Sequence, residues 1–280
     1  MTHQHINLIY PQWQGGGDLS TYGGVLEFRK LYLAGASVEE ISVSRDEPAE
    51  SECGIFGYAD ILMQTEYACG LLNREQPDTL FTVGGGCDVS APAVSYLNAR
   101  LDNKLTVLWL DAHGDLNTPE SSPSGLFHGM PLRLLLGEGD SRLLKLLHTP
   151  LDSEQIMLAG VRDLDEPERE YIAESRMDIL TVDVLHDSEA TVDVLREKGN
   201  HHIYVHIDLD VLEPSKFAHV PLPVAGGLDP DALVRLLHNL NGEFEIAGLS
   251  VVEYMGAGGR RCAVLEEIAR IGAALAQRSI

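Results

Sequence analysis

Apolar residues along this 280-residue chain gather in short, nearly continuous runs separated by stretches of helical spacing. The runs Ile6–Tyr10, Glu40–Val43, Leu80–Val83, Leu105–Leu110, Gln155–Ala159, Ile179–Val182, Ile203–Ile207 and Ile246–Val251 read as strands. Between them, Gly24–Leu33, Phe56–Leu72, Ala93–Leu101, Pro131–Leu136, Leu143–Leu147, Glu166–Ala173, Glu189–Glu197, Asp229–Leu240 and Arg261–Ala276 read as helices. Asp229 suits the N-cap of its helix. Strands that alternate with helices predict an α/β fold around a parallel sheet. Most of the strands are apolar throughout, as strands covered on both faces must be. No linker, repeat or low-complexity segment interrupts the pattern, so residues 1–280 read as one domain.

Charge narrows the range of partners. Lys and Arg number 20 against 43 Asp and Glu, a formal net charge of −23. Nucleic acid is therefore an unsuitable partner, since phosphate binding needs a basic surface, and so is an anionic membrane. Acidic side chains gathered in a cleft would instead favour metal cations or guanidinium. Cys53, Cys69, Cys87 and Cys262 are far apart and form no CxxC pair, so no disulfide framework is expected. The opening MTHQHINLIYPQWQ has neither the basic stretch nor the long apolar run of a secretory signal. No stretch reaches the apolar length of a membrane span. The expected compartment is the cytoplasm.

Two strand ends carry metal-binding residue types. Asp111, His113 and Asp115 follow the run Leu105–Leu110, and Asp208 and Asp210 follow Ile203–Ile207. In parallel sheets, sites are built at the carboxyl ends of the strands. Residues two apart on extended backbone point to one side, so each set is expected to converge on one point. Four carboxylates brought together repel one another unless a cation sits among them. Two divalent ions would offset that charge, and mixed carboxylate and imidazole ligands suit Mn²⁺ or a similar borderline metal.

With these residues in hand, the chain resembles the ureohydrolases: the arginases, agmatinases and related amidinohydrolases. The resemblance runs from about Phe81 to Glu253. DAHGDLNTP resembles the family's DAHxDxNTP, and SGLFHGMP its SGNxHGxP. HIDLDVLEP resembles S-F-D-x-D-x-x-D-P, VRDLDEPE resembles the arginase G-x-R-D-x-D-x-x-E, and PVAGGL and Glu253 follow in order. The resemblance implies a single-domain, arginase-like three-layer α/β/α fold with a parallel sheet of about eight strands. It implies two Mn²⁺ ions bridged by hydroxide, which attacks a guanidinium carbon. Asp111 and Asp208 would bridge the ions, Asp115 would complete the deeper position, and His113 and Asp210 the other. His128 would shuttle protons or contact substrate, and Glu253 would hold the guanidinium. Asn117 and Ser124 match positions that bind a substrate α-carboxylate, and Asp165 one that meets an α-amino group. The implied partner is a small guanidino or amidino substrate with an amino-acid head, yielding urea or a substituted urea plus an amine such as L-ornithine. A homo-oligomer remains open.

The pattern breaks at one place. Where the family has GGDHS, with its His on the deeper metal, this chain reads GGGCDVS, which puts Gly86, Cys87 and Asp88 at the last three positions. Three outcomes are open. Cys87 ligates as a thiolate, which favours Zn²⁺, Fe²⁺, Co²⁺ or Ni²⁺ relative to Mn²⁺; or Cys87 stands near the metal without binding; or Asp88 turns inward and substitutes. The same change resembles the branch that hydrolyses Nω-hydroxy-L-arginine, although His128 is kept here. Leu126 replaces an Asn of the family motif and Leu222 a Thr, and both are expected to make the pocket more apolar. Formiminoglutamase-type hydrolysis and ligand binding without turnover are the other readings.

Overall fold

The computed structural model describes residues 3–48 and 51–277; the remaining residues of the expected 1–280 domain lie outside it. The elements in chain order are β1 (His5–Tyr10), α1 (Leu19–Tyr32), β2 (Glu39–Glu40), β3 (Ser51–Glu52), β4 (Ile55–Phe56), α2 (Tyr58–Glu75), β5 (Thr79–Gly84) and α3 (Ser90–Arg100). There follow β6 (Leu105–Leu110), α4 (Pro131–Leu135), α5 (Ser141–Leu144), β7 (Ile156–Ala159), α6 (Glu166–Ser175), β8 (Asp178–Leu180), α7 (Val182–His186) and α8 (Ser188–Glu197). The chain closes with β9 (His202–Asp208), α9 (Pro230–Glu243), β10 (Glu245–Val252) and α10 (Ala263–Ala274). Among the described residues, no helix is long and apolar enough to cross a membrane.

Eight strands form one sheet in the order β2-β1-β5-β10-β9-β6-β7-β8. Every pairing within it is parallel. Successive side chains enter opposite cores, as the pleat requires. In β9, Ile203, Val205 and Ile207 join a core with α1, α7, α8, α9 and α10. Tyr204, between them, joins the opposite core with α2, α3 and α4. The result is three layers, with both faces of the sheet covered.

The predicted elements shift where local chemistry intervenes. Phe56 does not open the long helix. Cys53 and Gly54 both take positive φ, 53° and 75°, and this two-residue turn pairs Ser51 with Phe56 as a hairpin. The strand expected at Glu40–Val43 shrinks to Glu39–Glu40, which pairs with β1 alone at the sheet's edge. Val182 leaves the strand and begins α7. Asp229 caps α9 as expected, accepting from Asp231 N at 2.8 Å, with Pro230 in the first turn.

The four central strands β5, β10, β9 and β6 are neighbours. Their carboxyl ends deliver Cys87, Glu253, Asp208 and Asp111 to one place. Gly85 makes the approach possible, because a Cβ there would lie 1.9 Å from the Gln12 carbonyl oxygen.

Candidate metal centre

Each acidic side chain is fixed by backbone leaving a strand. Asp111 follows the last residue of β6, and its Oδ1 accepts from His113 N at 2.6 Å. Asp115 has φ 56°, and the Trp109 indole donates to its Oδ2 at 3.2 Å. Asp208 ends β9 and caps a single tight turn, accepting from Asp210 N at 2.8 Å. Asp210 in turn accepts from Ala112 N at 3.0 Å, which ties the two loops together. Cys87 opens the turn before α3, with its Sγ 3.0 Å from Asp208 Oδ2 and 3.8 Å from Asp111 Oδ2.

Among the described residues, candidate ligand atoms gather in three groups, each within 4.8 Å. Cys87, Asp111, Asp115 and His206 form a fully buried one; Cys87, Asp208 and Glu253 a second; Asp111, His113 and Asp210 a third, nearer solvent. This corrects the expectation that Asp111, His113 and Asp115 converge on one point. The backbone turns at once after Leu110 instead of staying extended, so Asp115 and His113 fall in separate groups, with Asp111 in both. Asp208 and Asp210 separate in the same way, because the turn at 209–211 replaces the strand. Asp88 belongs to none of these groups, so the third option for the altered motif has no geometric support.

The electrostatics are those of a cluster short of positive charge. Burial, then the neighbouring Asp210, pushes the Asp111 carboxyl up to about 6. Burial and then Asp111 raise Asp115, and burial and then Asp210 raise Asp208, both well above the usual carboxylate range. Burial and the surrounding carboxylates, Asp115 first, push the Cys87 thiol up as well. Burial opposes protonation of His113, but Asp111 and Asp210 prevail and hold its imidazole up to about 12. A divalent cation among these atoms would replace the protons they retain. Carboxylate, imidazole and thiol donors within 4.8 Å of one another fit such an ion.

A cavity of about 170 Å³ has Asn117, Ser124, His128, Asp165 and Glu253, the residues expected to meet substrate, in its lining beside the acidic cluster. Asn117 Nδ2 donates to Asp165 Oδ2 at 2.9 Å, and Ser124 is exposed at the rim. His128 Nδ1 meets Glu253 Oε1 at 2.9 Å. Burial pulls that imidazole down, yet Glu253, with Asp88 behind it, outweighs burial and holds it above its ordinary value. Leu222 lines the cavity at 48% exposure. Leu126 is not among the lining residues.

Glu168 and His206 carried no role in the sequence, and Asp88 was weighed there only as a substitute ligand. Glu168 lines the cavity and closes a capping box with Asp165, accepting from Asp165 N at 2.9 Å. The signal was legible, since an acid followed three residues later by Glu is a helix-start signature. Asp88 is buried with Oδ1 unpartnered, and burial raises it to about 7. His206 interrupts the apolar run of β9, and burial holds its imidazole well below its ordinary value and neutral.

The profile of the arginase family matches residues 46–277. The chain belongs to the arginase family. It is 33% identical over 211 residues to an arginase of Staphylococcus aureus (strain COL), covering 71% of this chain and 68% of that one. The Entamoeba histolytica arginase solved with L-ornithine superposes with a TM-score of 0.86 at 20% identity, covering 98% of this chain and 99% of that one. The Bacillus subtilis arginase gives 0.77 at 26% identity, covering 99% of both. This arginase-family protein is therefore a hydrolase of amidine C–N bonds with an eight-stranded parallel sheet.

Proposed function

We propose that this arginase-family hydrolase uses two divalent cations, Mn²⁺ or a softer ion, to hydrolyse a guanidino compound with an amino-acid head. The observation that carries the reading is the acidic centre itself: three interlocking donor groups that share Cys87 and Asp111. Asp111, Asp115 and Cys87 would hold the deeper cation. Asp111, His113 and Asp210 would hold the outer one, with Asp208 between. Bound divalent cations would lower the pKa of coordinated water towards neutrality and supply nucleophile at working pH.

The chain's own residues do the rest. Glu253 faces the cavity and binds the planar guanidinium through charge-assisted hydrogen bonds. Water adds to the guanidinium carbon, the bond from that carbon to the substrate's side-chain nitrogen breaks, and urea and a protonated primary amine result. His128, held on Glu253, delivers the proton to the departing nitrogen. Asn117 and Ser124 orient the α-carboxylate, and Asp165 holds the α-amino group. This arrangement favours an amino-acid head over agmatine, which has no carboxylate.

Nω-hydroxy-L-arginine is the second substrate reading, favoured by Cys87 within two of the donor groups. The test loads the metal-free protein separately with Mn²⁺, Zn²⁺, Fe²⁺, Co²⁺ and Ni²⁺. Each form is offered arginine, Nω-hydroxy-arginine, agmatine, guanidinobutyrate and formiminoglutamate. Turnover of an amino-acid guanidine above agmatine supports the proposal. Turnover of none contradicts it and leaves a binding protein.

A further inference from the structure

His206 is fully buried in β9, two residues before Asp208. Its neighbours across the sheet are Trp109 on β6 and Ser250 on β10. The imidazole lies flat on the Trp109 indole, with ring centroids 3.5 Å apart and planes at 9°. Nδ1 faces the hydroxyls of Ser90 at 2.9 Å and Ser250 at 3.1 Å, and Ser90 Oγ donates to Ser250 Oγ at 3.0 Å. Among the described residues, Nε2 has neither a hydrogen-bond partner nor contact with solvent. Leaving such a buried atom unpaired is costly.

A histidine that serves only to fill the core needs no free nitrogen. Here one edge of the ring is occupied by two hydroxyls, and the ring plane is fixed by stacking. The Nδ1 proton donated to a serine oxygen leaves the Nε2 lone pair available. That is the tautomer a metal-binding histidine adopts when its second nitrogen is hydrogen-bonded to the protein. His206 also offers a ring nitrogen within 4.8 Å of the ligand atoms of Cys87, Asp111 and Asp115. Since Nδ1 is engaged, Nε2 is the nitrogen free to serve.

We propose that His206 is a ligand of the deeper cation, binding it through Nε2 and supplying the imidazole that Cys87 does not. The proposal rests on the reading of the acidic centre as a metal site. It gives the deeper position four side-chain donors: the Cys87 sulfur, one imidazole nitrogen, and carboxylate oxygens of Asp111 and Asp115. Ser90 and Ser250 set the tautomer, and Trp109 sets the ring plane. A sulfur and an imidazole on the same ion move that position's preference away from Mn²⁺ towards Zn²⁺, Fe²⁺ or Co²⁺.

The test uses the wild-type protein with isotope-labelled histidines, loaded with NMR-active cadmium as the probe metal. The proposal predicts direct nitrogen–cadmium coupling at two histidines, His113 and His206, with the second signal absent in His206→Gln. That variant should also bind one of its two cadmium ions at least tenfold more weakly, the lower end of what losing a supporting group costs a metal site. Coupling at His113 alone, with His206 Nε2 carrying a proton, overturns the proposal while leaving the metal site standing. Failure of cadmium to bind anywhere overturns both.

Discussion

Cys87 Sγ stands 3.0 Å from Asp208 Oδ2, at the junction of the β5 and β9 ends. A thiol in an apolar core seeks no carboxylate, and this one shares two donor groups with buried aspartates. Cys87→Ser should weaken one of two cation-binding events at least tenfold and leave the other nearly unchanged. In the Co²⁺-loaded protein it should abolish sulfur-to-metal charge-transfer absorption. Two ions bound with unaltered affinity and no such band in the wild type would show that Cys87 is a bystander.

Titration of the centre sets the second expectation. The Asp111 carboxyl, ordinarily near 3.8, is raised to about 6, and Asp88 to about 7. A raised carboxyl stabilises the fold while protonated, fully below its unfolded value, and loses that contribution as pH rises through the folded value. His113, raised from 6.5 to about 12, acts in the same direction, because above pH 6.5 the unfolded imidazole loses a proton that the folded one keeps. The metal-free protein should therefore lose stability between pH 5 and pH 8. Its gain on adding a divalent ion should grow over the same interval as protons leave the ligands. Thermal melts with and without metal at the two pH values check this; a metal-free protein more stable at pH 8 contradicts it.

In the proposed reaction, Asp165 separates recognition of the substrate head from chemistry. Asp165→Asn keeps a side-chain oxygen for the cap of α6 and removes the charge. It should raise KM for amino-acid substrates about 10- to 100-fold, the range of a lost charge-assisted hydrogen bond, and spare agmatine. Asp165→Ala adds a capping loss of about 1 kcal/mol, read in the melting temperature. Equal loss for agmatine would remove Asp165 from the substrate head.

In the proposed reaction, His128 and Glu253 divide the work at the reacting carbon. His128→Asn should lower kcat about 10²- to 10⁴-fold, the usual contribution of a positioned proton donor, with both ions still bound. Glu253→Gln should raise KM as well as lower kcat. A His128→Asn enzyme that keeps its kcat would assign the proton to another group.

The strand runs, the three-layer plan and the acidic strand ends were all legible, because both-face burial writes itself as continuous apolar sequence. The way the ligands divide followed only from the family resemblance, not from the spacing. That depends on backbone turns after Leu110 and Asp208 and on a left-handed φ at Asp115, none of which Asp-x-His-x-Asp or Asp-x-Asp spacing encodes. His206 was hidden for a similar reason. A single His in an apolar strand gives no sign that Trp109, Ser90 and Ser250 lie around it, since those contacts come from three other elements.

On the proposed reading, the β5, β6, β9 and β10 ends build a two-cation centre that hydrolyses a guanidino amino acid. Its most direct test is calorimetric titration of metal-free protein with Mn²⁺, repeated with Co²⁺, with turnover of arginine and Nω-hydroxy-arginine followed at each step. Two ions per chain, activity that rises with occupancy of the second, and loss of both in Asp111→Asn are expected. One ion or none per chain, or turnover independent of added metal, would contradict it.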